Sequence, residues 1–428
     1  MNLFKNKLLK STAIYTISDG IAKGLNFLTL PLISFYLVPE QLGIAVNYEV
    51  LASIISLLSS GVYTNGITYF FYDRDKEKVA LIVSNLFMFV IACLITLSLL
   101  LLIFHNAISS ILYLDYEMQI LAIGGCFFGF TNGVSQILYR LEEKPYCFCG
   151  FSLLQTILAL VSLYIFVVVL RMEALGKIYS GIVVAGLLFV IHFVMLVRRK
   201  YFIIKYDYSS LKELLHFGLP LLPHSLSFWL KGGVDKIVLT TFCGLGANGL
   251  YSMALSFGGF FRIFIDAFNN SFAPYLQKRL NSITKDNEVL EKAYIVRLIW
   301  ILIIGFSILA ILVIGVCKMA MLFVLDEKYH AAFIFIPSIL VMLIFQFINA
   351  IVIQFPYFAK RTMGLGLVTF LGGMVQLCST YFLTKYFGIN GINISIVIGS
   401  FAIMIGVWGY SNKVYPMPWL SFRKRKDS

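Results

Sequence analysis

The chain is paced by apolar runs of about 20 residues or more, each bounded by charged or turn-forming residues, and a run of that length crosses a bilayer as a helix. Approximate run cores lie at 12–38, 42–71, 79–104, 119–139, 148–170, 178–197, 214–243, 247–275, 293–316, 331–357, 363–386 and 389–411. With 60% hydrophobic and 13% charged residues, a 428-residue chain carries more apolar surface than a soluble core can bury. The expected fold is therefore an all-α polytopic membrane protein. The first run is too long for a cleavable leader and contains Asp19 and Lys23, so it is expected to stay as a helix.

A net charge of +13 invites a nucleic-acid reading, but the basic residues fall between the apolar runs instead of forming one stripe. Membrane topology accounts for them. With a cytoplasmic N-terminus, alternate loops and the two termini hold 24 of the 34 Lys and Arg residues, and the opposite loops hold only Arg171, Lys177, Lys318, Lys328 and Lys385. That bias puts both termini inside and requires an even number of spans, since one helix more or fewer would invert every later loop.

The seven cysteines are scattered in or beside apolar runs, Cys147 and Cys149 lack metal-knuckle spacing, and the five histidines form no HExxH pair. No metal or resident cofactor is expected. No loop between runs is long enough for an external catalytic domain, which argues against a membrane glycosyltransferase, polymerase or ligase.

The longest polar stretch, 198–212, divides the chain near its middle, giving six spans to each half with the same orientation. Lys23-Gly24 in the first span matches Lys231-Gly232 in the seventh, Gly43 matches Gly249, and EALGKIYSG at 173–181 matches KYFGINGIN at 385–393. These matches predict parallel repeats, lobes 1–205 and 206–428, about a central cavity.

Nine ionisable residues lie within spans: Asp19, Lys23, Glu49, Lys231, Asp235, Lys236, Arg262, Asp266 and Arg297. Each costs about 2.5–3.5 kcal/mol at the bilayer centre, roughly 25 kcal/mol together, so most must face inward or snorkel. Asp19 and Lys23, Lys231 and Asp235, and Arg262 and Asp266 are i,i+4 pairs that share a helical face. The faces extend as polar stripes through Thr12, Thr16 and Asn26 on the first span, and Glu49, Ser53, Ser56 and Ser60 on the second. His224 extends the stripe of the seventh, where Pro220, Pro223, Gly232 and Gly233 interrupt the helix, and Asn270 that of the eighth. One reading makes each pair a staple between helices; the other makes the four stripes the wall of a substrate path. Arg297 sits near the cytoplasmic end of its span and can snorkel, whereas Lys236 faces either the cavity or the outer interface. Five cations against four anions suit an anionic head group better than a hydrophobic cation. Gln346, Asn349, Gln354 and Gln376 serve either interhelical hydrogen bonds or substrate contact.

The segments FGLPLLPHSLSFW, VDKIVLTTFCGLGANGLYSMALSF, AFNNSFAPYLQKR, AKRTMGLGL and YFGINGINISIVIG, with LPLISFYLVPEQLGIA near the start, resemble the polysaccharide or O-antigen (Wzx-type) flippases of the multidrug/oligosaccharidyl-lipid/polysaccharide exporter superfamily. The resemblance implies a V-shaped, MATE-like transporter of about twelve helices in two six-helix lobes. Its substrate would be an undecaprenyl-pyrophosphate-linked oligosaccharide for O-antigen of lipopolysaccharide, or another surface polysaccharide, flipped across the bacterial inner membrane without enzymatic chemistry. It also implies coupling to a proton or sodium gradient through Asp19, Glu49, Asp235 or Asp266, contact with membrane lipids, and work alongside a polysaccharide polymerase and chain-length machinery. Asp235 and Lys236 match the family's acid–base pair after the seventh helix's small residues. A cation-coupled multidrug antiporter of the same superfamily is the alternative function.

Overall fold

The computed structural model describes residues 14–419 other than 16, 19 and 362, and only the backbone of His224, Ser227, Phe228, Lys231 and Met363. It is helical, with no strand among the described residues. We number the helices α1 (Thr29–Tyr36), α2 (Pro39–Phe70), α3 (Lys76–Leu112), α4 (Tyr116–Leu141), α5 (Pro145–Val169), α6 (Glu173–Arg198) and α7 (Tyr208–Gly218). They continue with α8 (Leu222–Asn281), α9 (Glu288–Val324), α10 (Glu327–Phe358) and α11 (Met363–Val414). Among the described residues nine stretches are long and apolar enough to cross a membrane. The protein is a multi-pass membrane protein.

Two helices are double. α8 breaks at Gly244 (φ 87°) and α11 at Gly388 (φ 56°), both in left-handed backbone that glycine enters without steric cost. The breaks fall in the gaps that separate the seventh from the eighth and the eleventh from the twelfth apolar run. Splitting α8 and α11 there, and counting the helix that leads into α1, is consistent with twelve spans.

The chain divides into two compact units between Trp229 and Leu230. The sequence division at 205/206 falls earlier, and hydrogen bonding explains why residues 206–229 stay with the first unit. Ser84 accepts from the Ile203 amide (2.8 Å) and Asn85 from the Asp207 amide (3.0 Å), so α3 pins the connecting strand of chain. α7 then packs Leu214 against Gly66 and ion-pairs Glu213 with Arg74 at 3.0 Å.

Within the first unit the core is aromatic, with Phe87 ringed by Phe130 (4.7 Å), Phe202 (5.4 Å) and Phe193 (6.2 Å) between ring centroids. Buried amides close the helix ends: Asn47 donates to the Leu112 carbonyl at 2.7 Å and Gln119 to the Leu114 carbonyl at 3.0 Å. The loops assigned to the cytoplasm in this unit meet one another. Tyr72 donates to the Leu141 carbonyl (3.0 Å), Glu142 pairs with Arg199 and Lys144, and Lys76 lies over the Tyr201 ring. In the second unit the basic loops group likewise, through Arg279–Glu291 (2.8 Å), Lys292 over Tyr415, and Tyr410 donating to the Arg361 carbonyl. Within each unit the loops expected on one side of the membrane thus lie together.

The repeat alignment needs one correction. A Cβ at Gly176 would lie 2.8 Å from the Phe166 carbonyl, and one at Gly391 would lie 2.0 Å from the Leu383 carbonyl. Close approach to the preceding helix makes Gly391, not Gly388, the steric counterpart of Gly176; Gly388 serves the break.

Candidate functional sites

Two polar clusters stand out, one in each unit. In the second unit Asp235 lies on α8, nine residues before the break, and only 5% of its surface is exposed. Its Oδ1 accepts from Thr380 Oγ1 at 3.0 Å and its Oδ2 from Gln376 Nε2 at 3.1 Å. Thr380 Oγ1 also lies 3.2 Å from Ser395 Oγ. Gln376 and Thr380, one turn apart before the Gly388 break of α11, hold the carboxylate, and Ser395, beyond the break, reaches it only through Thr380. A buried carboxylate is costly unless its oxygens are bonded, and two donors from a neighbouring helix meet that need. The ammonium of Lys236, half-buried, acts on it electrostatically.

The set around Asp235 is oxygen-rich, a carboxylate and two hydroxyls, with one amide nitrogen donating to the carboxylate. It suits a proton or a hard monovalent cation. No group of three or more His, Cys, Asp or Glu residues placed to hold a metal occurs among the described residues.

In the first unit a cleft of about 340 Å³ lies between α2, α4 and α6. Glu49 of α2 pairs with Lys177 of α6 at 2.6 Å, and Ser53 and Ser56 continue the α2 face into the cleft. Trp229 Nε1 donates to Ser53 Oγ at 2.8 Å. Gly125 and Gly129 of α4 and Gly181 of α6 supply lining without side chains.

The expected site residues fare differently. Asp19 lies outside the described residues, as do the side chains of His224 and Lys231, and with them the pairs Asp19–Lys23 and Lys231–Asp235. Lys23 is exposed on the helix that leads into α1. Arg262 and Asp266 do pair, at 3.8 Å, with most of the Arg262 side chain and about half of Asp266 exposed. Arg297 is exposed in the third turn of α9. Lys177, assigned to a loop, is instead in the second turn of α6 and largely covered, because Glu49 draws it in. The α2 stripe stops at Ser56: Ser60 is buried and its hydroxyl turns back to the Ser56 carbonyl at 3.1 Å, within the π-helical turn Leu57–Gly61.

Gln376 entered the sequence reading only as a general polar position, and Thr380 and Ser395 were missed. The i,i+4 spacing of Gln376 and Thr380 was available as a signal, and Ser395 has none. A buried pair was also missed: His192 Nδ1 lies 3.1 Å from Asn132 Oδ1, under the Phe151 and Tyr139 rings. Gln354 meets the neighbouring helix at Gln277, whose amide donates to the Gln354 backbone carbonyl at 3.0 Å and lies 3.4 Å from its Oε1.

Comparison with known proteins fits this architecture. Residues 8–279 match the family described as polysaccharide biosynthesis protein. Among curated proteins, the chain is 28% identical over 286 residues to Lsg locus protein 1 of Haemophilus influenzae, covering 64% of this chain and 67% of that one. It is 23% identical over 284 residues to an uncharacterised membrane protein of the same organism, covering 64% of this chain and 66% of that one. The chain thus spans about two thirds of the length of the relatives it matches. Among solved structures, the lipid II flippase MurJ in an inward closed conformation superposes with a TM-score of 0.72 at 12% identity, over 93% of this chain and 87% of that one. An inward-facing multidrug MATE transporter of the MOP superfamily gives 0.67 at 17% identity, over 93% and 94%. The chain therefore belongs to the polysaccharide biosynthesis protein family and carries the fold of the multidrug/oligosaccharidyl-lipid/polysaccharide transporters.

Proposed function

We propose that this protein is a flippase that moves undecaprenyl-pyrophosphate-linked oligosaccharides, the repeat units of O-antigen or another surface polysaccharide, across the bacterial cytoplasmic membrane by alternating access. The observation that carries this reading is a polysaccharide-biosynthesis family match on a transporter fold. The protein itself breaks no bond. It shields the head group while the polyprenyl tail stays among membrane lipids, and it hands product to a polymerase and its chain-length machinery. Both termini are cytoplasmic in this scheme, which the grouping of basic loops in each unit supports.

Lys23, Lys231, Lys236 and Arg262 are assigned to attract the pyrophosphate or acidic sugars, with Asp19, Asp235 and Asp266 orienting those cations. Coupling is assigned to Asp235. It is buried, oxygen-lined and bonded to the first half of the broken α11, whose Thr380 in turn meets Ser395 of the second half, so gain of a proton or sodium ion there changes the charge beside the break. The exposed Arg262–Asp266 pair offers no such burial.

Deletion of the gene should abolish surface polysaccharide and trap lipid-linked repeat units on the cytoplasmic leaflet, and Asp235→Asn should fail to restore either while reaching the membrane at normal level. Surface polysaccharide undiminished by deletion, with drug resistance lost instead, would favour the antiporter reading.

A further inference from the structure

We propose that the cleft of the first unit is the subsite for a sugar ring of the transported head group. The inference rests on the flippase reading above and adds to it the part of the substrate that this cleft takes.

Space is the first argument. A volume of about 340 Å³ falls in the ~300–1,000 Å³ range of small-molecule sites. Of the three lining glycines, Gly125 is fixed by packing, since a Cβ there would lie 3.1 Å from the Tyr48 hydroxyl, but the other two do not need to be small for packing. A Cβ added at Gly129 or Gly181 would meet no atom within 4 Å, whereas one at Gly258 would run into Ile339 at 2.6 Å. A glycine inside a helix costs about 0.5–1 kcal/mol relative to alanine. At 129 and 181 helix contact does not repay that cost, and what the two glycines preserve is the cleft itself.

Chemistry is the second. Among the described lining residues there is one carboxylate, Glu49, and one ammonium, Lys177, held at 2.6 Å, so the cleft carries no net charge. A pyrophosphate would meet the Glu49 carboxylate as well as Lys177, and an organic cation would meet Lys177 as well as Glu49. The Ser53 hydroxyl is engaged, donating to the Val50 carbonyl at 2.7 Å and accepting from Trp229, so an alkyl chain would leave both ions and the Ser56 hydroxyl without a partner from the ligand. A pyranose answers all of these: its hydroxyl edge takes donors and acceptors in alternation, and its C–H face rests on the bare backbone of the glycines.

The test uses the full-length protein in detergent and two probes followed by native mass spectrometry: undecaprenyl pyrophosphate without sugar, and lipid-linked oligosaccharide extracted from the source bacterium. Gly181→Leu and, on a different helix, Gly129→Leu should each weaken binding of the sugar-bearing lipid at least 10-fold and change binding of the sugar-free lipid less than 2-fold. A melting temperature equal to wild type certifies the fold of each variant, and Gly181→Ser replaces any leucine variant that melts early. Equal loss for both lipids, or no loss for either, overturns the subsite. A wild-type protein that binds the two lipids equally overturns the subsite and leaves the flippase reading standing. A wild-type protein that binds neither removes both.

Discussion

Asp235 concentrates the chemistry of the second unit, and the side chains around it set what can be expected of single substitutions. Thr380→Val keeps the shape but leaves a buried carboxylate one donor short, which should cost about 1–3 kcal/mol. The loss should appear as a lower melting temperature of the detergent-solubilised protein, with Thr380→Ser close to wild type. A melting temperature unchanged by valine would mean that Thr380 does not hold the carboxylate. Glu49 and Lys177 should behave differently in the same assay. More than half of the Glu49 side chain is exposed, so Lys177→Met should shift stability by less than about 1 kcal/mol even though the pair is short. At this scale the sequence was partly legible. An ionisable group inside an apolar run marks itself, so Asp235 and Glu49 could be named from the chain alone. Their partners could not, because Gln376 and Thr380 are ordinary helix residues until α11 packs against Asp235, and Lys177 looked like a loop cation because it stands so near the end of its span.

The helices show why element boundaries were easier to read than their joints. Hydropathy located the apolar runs, and two of the three shortest gaps between them coincide with Gly244 and Gly388. What hydropathy could not see was close packing. Gly391→Ala should be among the most damaging single-methyl changes in the second unit, since its Cβ would sit 2.0 Å from the Leu383 carbonyl. A loss of about 3 kcal/mol is expected, read as reduced yield and melting temperature, while Gly181→Ala melts as wild type; equal melting of the two alanine variants would refute the packing role. The connection after α6 also departed from expectation, because buried Ser84 and Asn85 of α3 act at long range on a segment that looks like a free linker in sequence.

The knot at Glu142, just past α4, offers a test by pH. Burial pushes this carboxyl upward, but hydrogen bonds from Tyr201 and Lys144 and the charge of Arg199 outweigh it and hold the group below the ordinary carboxylate range. A folded-state value below the unfolded one means that the stabilisation is fully present above the unfolded carboxylate value of about 4.3 and is lost as pH falls through the folded value. Melting temperature should therefore drop between about pH 5 and pH 3 and do so less steeply in Glu142→Gln. An identical slope in both proteins would remove the knot from the acid response.

At the scale of the whole molecule, the chain carries the fold of the superfamily and divides into two compact units at 229/230, about one helix beyond the 205/206 division expected from the sequence. The substrate is where the sequence was least explicit, because ion pairs and small residues inside spans form no fingerprint like a catalytic triad.

The most direct test of the account is transport itself. Purified protein would be reconstituted into liposomes with fluorescent undecaprenyl-pyrophosphate-linked oligosaccharide, and the fraction of label beyond reach of an external quencher followed after a proton or sodium gradient is imposed. The account predicts that wild-type protein equilibrates the lipid between leaflets and that Asp235→Asn slows this at least 10-fold. A wild-type rate no faster than that of protein-free liposomes under either gradient would contradict it.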